Sequence, residues 1–87
     1  MDIEWDKVKA SANKLKHGVS FADAVIALKD PMSMVSEDDS HEEQRFQSIG
    51  MDGKGRILIV VFTYRGNRHR LISARKAVKW ERKLYEG

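Results

Sequence analysis

Residues 52–75 read DGKGRILIVVFTYRGNRHRLISAR. Asp52-Gly53-Lys54-Gly55 is a strong hairpin turn, and Arg65-Gly66-Asn67 is a second. Between them, Arg56 to Tyr64 contains the run ILIVVF. That density of β-branched residues predicts a central strand buried on both faces. Arg68 to Arg75 is then the next strand and Arg45 to Met51 the preceding one, giving an antiparallel meander. Arg68–Arg75 reads as the last strand, where its charges would also guard an open edge.

Upstream, Asp6 to His17 predicts a helix. Trp5, Val8, Ala12 and Leu15 recur at three- and four-residue spacing and form one apolar stripe. Gly18 suits a left-handed residue ending that helix, with Lys14, Lys16 and His17 in its last turn. Ser20 is placed as an N-cap with Asp23 three residues on. Phe21, Ala24, Val25 and Leu28 form the buried face of a second short helix, closed by Asp30-Pro31. Residues 2 to 5 are a lead-in or short strand, and Met32 to Val35 a possible strand. Ser36 to Gln44 holds no apolar residue and reads as a solvated loop. Lys76 to Glu86 predicts a closing helix with Ala77, Trp80 and Leu84 on its inner face, and both tryptophans are expected in the core. Helices followed by strands and a final helix make the fold α+β.

The 87 residues suit one domain, 1–87. Absence of cysteine excludes a disulfide framework and thiol chemistry. No apolar run approaches a membrane span, and the acidic start lacks the pattern of a signal peptide. A cytoplasmic location is expected. Formal net charge is +3, and it is segregated. Glu37, Asp38, Asp39, Glu42 and Glu43 crowd one short window, while residues 65–83 hold eight basic side chains and one acid. Such a two-signed surface can meet nucleic acid with one face and a basic partner with the other.

His17, His41 and His69 lie in different elements without ligand spacing, so neither a metal nor any other cofactor is expected. No P-loop or nucleophile elbow is present. The arginines are the informative residues. A guanidinium offers phosphate a bidentate pair of charge-assisted bonds, and several can stabilise a pentavalent transition state. With a general base and acid they suffice for metal-free RNA cleavage. Strand alternation places Arg68, Arg70, Ile72 and Ala74 on one face, and His69, Leu71, Ser73 and Arg75 on the other. The alternative is structural: the arginines protect an edge and pair with acids such as Glu81, and Lys16-His17 is a helix terminus with favourable dipole contacts.

Several separated segments together resemble one family. WDKVKASANKLKHGVSF is similar to the WDxxKxxxNxxKHGVSF opening of the BrnT toxins, and RLISARKAVKWERKLYE to their R-x-ISAR-x-A ending with its later Glu and Tyr. Asp30-Pro31 and RFQSIGM continue the likeness. Ile26-Ala27-Leu28 departs from it where an aromatic is expected. The resemblance implies a RelE-like toxin of a type II toxin–antitoxin system: a metal-independent endoribonuclease that inhibits translation by cutting RNA. It implies a BrnA-like, ribbon-helix-helix DNA-binding antitoxin that neutralises the toxin, with operator DNA reached only through the autorepressing complex. Carried onto matching positions, it makes Lys16, His17, Arg70, Arg75, Glu81 and Tyr85 candidates for chemistry. Arg70 and Arg75 would hold phosphate, and His17, or else Glu81 or Tyr85, would move the proton. Arg45, Arg65, Arg68 and Lys79 are the expected RNA contacts. The other reading is a binding module without catalysis, contacting nucleic acid or antitoxin.

Overall fold

A computed structural model describes residues 1–39 and 42–87. His41 lies outside the described residues. Elements run β1 (Asp2–Glu4), α1 (Lys7–His17), α2 (Phe21–Leu28), β2 (Met34–Asp38), β3 (Arg45–Met51), β4 (Ile57–Arg65), β5 (Arg68–Lys76) and α3 (Lys79–Glu86). The five strands form one sheet in the order β1-β5-β4-β3-β2. β4 is central, as its apolar run predicts, and every residue from Ile57 to Val60 is buried.

Two expectations about the sheet are corrected. It is mixed rather than a pure meander, because β1 pairs with β5 in parallel through Asp2–Arg68, Ile3–His69 and Glu4–Arg70. β5 is therefore interior, and its arginines are not edge protection. The acidic segment is also not all loop, since Ser36, Glu37 and Asp38 pair with β3. Four of the five β2 residues are exposed. A strand that buries neither face leaves no alternation for the sequence to show.

The two helices between β1 and β2 form as their caps dictate. Asp6 Oδ2 accepts from Lys9 N–H at 3.0 Å, and Gly18 ends α1 at φ 70°. Ser20 Oγ accepts from Asp23 N–H at 3.1 Å to start α2. Val19, Phe21, Ala24, Ala27 and Leu28 then pack on Leu58, Val60, Phe62, Leu71 and Ala74. Burying Phe21 alone contributes about 2–3 kcal/mol. Beneath the opposite sheet face, Ile57, Ile59 and Ala77 make a smaller core with Ile49 and Tyr85.

The predicted stripe of α1 does not face that core. Val8 is 75% and Leu15 91% exposed, and the buried residue of α1 is Asn13. Its amide donates to the carbonyls of Val19 (3.0 Å) and Ala74 (2.9 Å), while its Oδ1 accepts from Ala74 N–H at 3.0 Å. A side-chain amide thus pairs with β5 beyond the end of β1, as a neighbouring strand would. α3 is rolled in the same way. Trp80 is 65% exposed, and Leu84 is also exposed, whereas Glu81 and Tyr85 turn inward to hydrogen-bond partners. Trp5 lies at the surface with its ring edge-on to Phe21. Neither tryptophan is a core residue.

Two carboxylates fasten the C-terminal end of β3. Asp52 accepts from the backbone N–H of Lys54 and Arg56 and from Arg56 Nε, closing the predicted turn, and Arg56 continues to Asp23 on α2. Asp30 accepts from Met32 and Met51 N–H and from the Tyr85 hydroxyl. At Gly50 the end of α2 lies directly on the strand: an added Cβ would stand 2.1 Å from the Ala27 carbonyl oxygen. Gly50→Ala must therefore displace α2, with an expected loss of about 1–3 kcal/mol, read as a lower urea midpoint in a chain that keeps its circular dichroism.

Candidate nucleic-acid interface

The register of β5 decides which arginines meet. Val61 pairs with Ser73 and Phe62 with Leu71, so Ile72 has no partner on β4. This one-residue bulge reverses the alternation midway along the strand. Leu71 and Ala74 both face α1 and α2. Arg70 and Arg75, opposite Thr63 and Ile59, share the other face with Ser73. The expected split of these two arginines between faces is corrected by that bulge. Arg65 and Arg68 are register partners on the Arg70 side, and Arg45 joins them by alternation from Ile49. α3 covers the end of this face over Ile49, Ile57 and Ile59 through Tyr85 and the preceding Ala77.

The face contains two guanidinium centres. Their β4 partners, Thr63 and Ile59, are four steps apart along the strand, which sets Arg70 roughly 13 Å from Arg75. At the first centre, Glu4 forms a close ion pair with Arg70 and lies 3.8 and 3.9 Å from Arg65 and Arg68. One carboxylate among three guanidinium groups leaves a surplus of positive charge. Arg65 and Arg68 are largely exposed and can turn to an anion. Sequence reading missed Glu4, whose role depends on a parallel pairing invisible in MDIEW. Arg45 is engaged by Glu43 at 2.7 Å.

At the second centre Arg75 Nη1 and Nη2 donate to the two Glu81 oxygens at 2.8 and 2.9 Å. Glu81 also accepts Val78 N–H at 2.8 Å, which starts α3. The Arg75 bond, aided by that N–H and opposed by burial, holds the Glu81 carboxyl below its ordinary range. Such an ion is a weak proton acceptor with both oxygens occupied. Glu81 therefore positions Arg75, whose side chain remains 40% exposed. Tyr85 is similarly committed: its hydroxyl donates to Asp30, which raises its pKa, and it lines the hollow with Asp30 and Met51.

Lys16 and His17 end α1 over a groove of about 300 Å³, shared with Asn13, Ile72 and Ser73. The bulge thus lies between the two arginine centres with an imidazole beside it. Lys79 is exposed at the first residue of α3. His69 faces the opposite side and packs its ring on Phe62 and Tyr64. Among the described residues no three His, Cys, Asp or Glu side chains gather as a metal site would require.

The acid side of stability follows from these bonds. Glu81 and Asp30 have folded pKa values below their ordinary 4.5 and 3.8. Their contribution is complete above those values and is lost as pH falls through the lowered ones. The urea midpoint is expected to fall below about pH 4.5. Glu81→Gln should flatten part of that slope.

A small α+β fold gathers arginines on one sheet face, with an imidazole at its margin, and such a surface has the chemistry to receive a polyanion. The family model for the ribonuclease toxin BrnT of type II toxin–antitoxin systems matches residues 5–81, and the chain belongs to that family. A solved relative is the Brucella abortus ribonuclease toxin BrnT, with a TM-score of 0.68 and 29% identity, covering 91% of this chain and 99% of that one. Among curated proteins nothing matches. Membership makes this a ribonuclease toxin of a type II system, which implies an antitoxin partner. No helix among the described residues is long and apolar enough to cross a membrane.

Proposed function

We propose that residues 1–87 form one toxin domain that cuts RNA without a metal, in the cytoplasm, and so inhibits translation. The observation that carries this reading is the bulge at Ile72, which turns Arg70 and Arg75 to one face. An RNA strand would lie along that face, its phosphates held by Arg65, Arg68 and Arg70 at one centre and by Arg75 at the other, with Arg45 and Lys79 as flanking contacts. His17 is the general base or acid. Its groove opens at Ile72 and Ser73, between the centres, and an imidazole can both take and give a proton. Lys16 supplies charge beside it. Glu81 and Tyr85 support the site through Arg75 and Asp30 rather than moving protons.

The chemistry is transesterification. The base removes the ribose 2′-OH proton, the 2′-oxygen attacks phosphorus, and the P–O5′ bond breaks. The 5′-oxygen takes a proton from the acid. The guanidinium groups hold the added negative charge between those events. A BrnA-like DNA-binding antitoxin would cover this face and repress the operon as the complex.

The test is purified chain with RNA in excess EDTA. Cleavage to 2′,3′-cyclic phosphate ends is expected. Cleavage lost in EDTA and restored by a divalent cation would overturn the mechanism. His17→Gln keeps a hydrogen-bonding side chain that cannot transfer a proton. Its kcat should fall about 10²- to 10⁴-fold.

A further inference from the structure

β2 is an edge of the sheet. Beside it lies a groove of about 240 Å³ lined by Met34, Ser36, Ile49, Trp80, Glu81 and Leu84. Trp80, Leu84, Met34 and Val35 are all exposed. A tryptophan and three aliphatic side chains around an open strand edge are costly to leave in water, and such an edge invites pairing. Charge selects the occupant. Residues 36–44 hold five acids and no lysine or arginine. Glu37 lies on the opposite side of β2 from Met34 and Ser36, by its register with Phe46.

We propose that an extended, basic segment of the antitoxin adds to the sheet along β2. Its apolar side chains would alternate into the groove under Trp80 and Leu84, and its lysines or arginines would face the Glu37 side and the acidic run. Main-chain pairing supplies affinity and the alternating pockets supply register. Opposite charges speed encounter and exclude acidic segments. The groove includes Glu81, which holds Arg75. The segment would therefore fix one side of the Arg75 centre while the rest of the antitoxin covers the arginine face. Naming the antitoxin as its source rests on the proposed function; the surface and the chemistry of its occupant do not.

The probe is a short synthetic peptide alternating lysine and valine, titrated into the full chain at low salt. Expected are saturable amide shifts on Met34–Asp38, a blue shift of Trp80 fluorescence, and weakening by salt. Trp80→Ser with Leu84→Ser should weaken binding about tenfold or more. Asp39→Lys with Glu42→Lys should weaken it about three- to tenfold. All four side chains are at the surface, so the variants should fold, and dichroism checks this. Equal binding of the glutamate-for-lysine counterpart, shifts centred on Val8 and Leu15 of α1, a second copy of this chain in the groove, or no binding would each overturn the proposal. RNA cleavage is assayed separately, so a chain that cleaves but ignores the peptide refutes the docking surface alone. A chain that binds the peptide and never cleaves refutes the nuclease reading alone.

Discussion

Asn13→Ala is expected to cost about 3–5 kcal/mol, the largest loss from any single side chain outside the apolar core. Three buried backbone groups lose their partners at once: the carbonyls of Val19 and Ala74, and Ala74 N–H. Each unsatisfied group costs about 1–3 kcal/mol, and the terms are not fully additive. A domain of this length has roughly 4–13 kcal/mol in total, so the variant should be partly unfolded at 37 °C. Asn13→Asp separates hydrogen bonding from volume. Its carboxylate still accepts Ala74 N–H but presents an anion to two carbonyl oxygens. Its folded pKa would be raised, so its penalty relative to wild type should be greatest at neutral pH and shrink on acidification. Urea midpoints of both variants between pH 4 and pH 8 check the prediction. Wild-type stability in both would mean that α1 is held to β5 by packing alone.

The same residue explains how far the sequence could be read. Strand β4, both turns, the caps at Gly18 and Ser20 and the boundaries of α2 and β3 follow local rules, and the structure keeps them. Helical periodicity correctly grouped Val8, Ala12 and Leu15 but could not say which way they faced. The orientation is set by Asn13, whose partners are six and sixty-one residues away. For α3 the deciding bonds are Glu81 to Arg75 and Tyr85 to Asp30. In both helices a polar residue faces inward and an apolar stripe faces out, opposite to the usual arrangement. The candidate site was legible in residue type and not in geometry. Arginine clustering is visible in RHRLISAR, but face sharing depends on the bulge at Ile72, which arises from pairing with β4. A strict two-residue period separates Arg70 from Arg75, and one unpaired residue reunites them.

Removing Arg75 should cut RNA cleavage about 10²- to 10³-fold, the loss typical when one preorganised donor to a developing charge is deleted. Arg75→Ala alone is ambiguous, because it also leaves Glu81 charged, 5% exposed and held only by Val78 N–H. Breaking a buried pair can cost 3–5 kcal/mol; with Arg75 40% exposed, water moderates this to about 2 kcal/mol. A second substitution separates the effects. In Arg75→Ala with Glu81→Gln the stranded charge is gone, so stability should return most of the way to wild type. Cleavage should not return, because the Arg75 guanidinium is still missing from its centre. Glu81→Gln alone retains Arg75 but loses the bidentate grip that aims it. Its KM should rise modestly and its kcat fall less than tenfold. The ordering of kcat, with Glu81→Gln well above Arg75→Ala and the double variant equal to Arg75→Ala, follows only if Arg75 touches the substrate and Glu81 acts through it. If the double variant recovers both stability and cleavage, Arg75 serves the fold, and the transition-state charge must be held by the centre around Arg70.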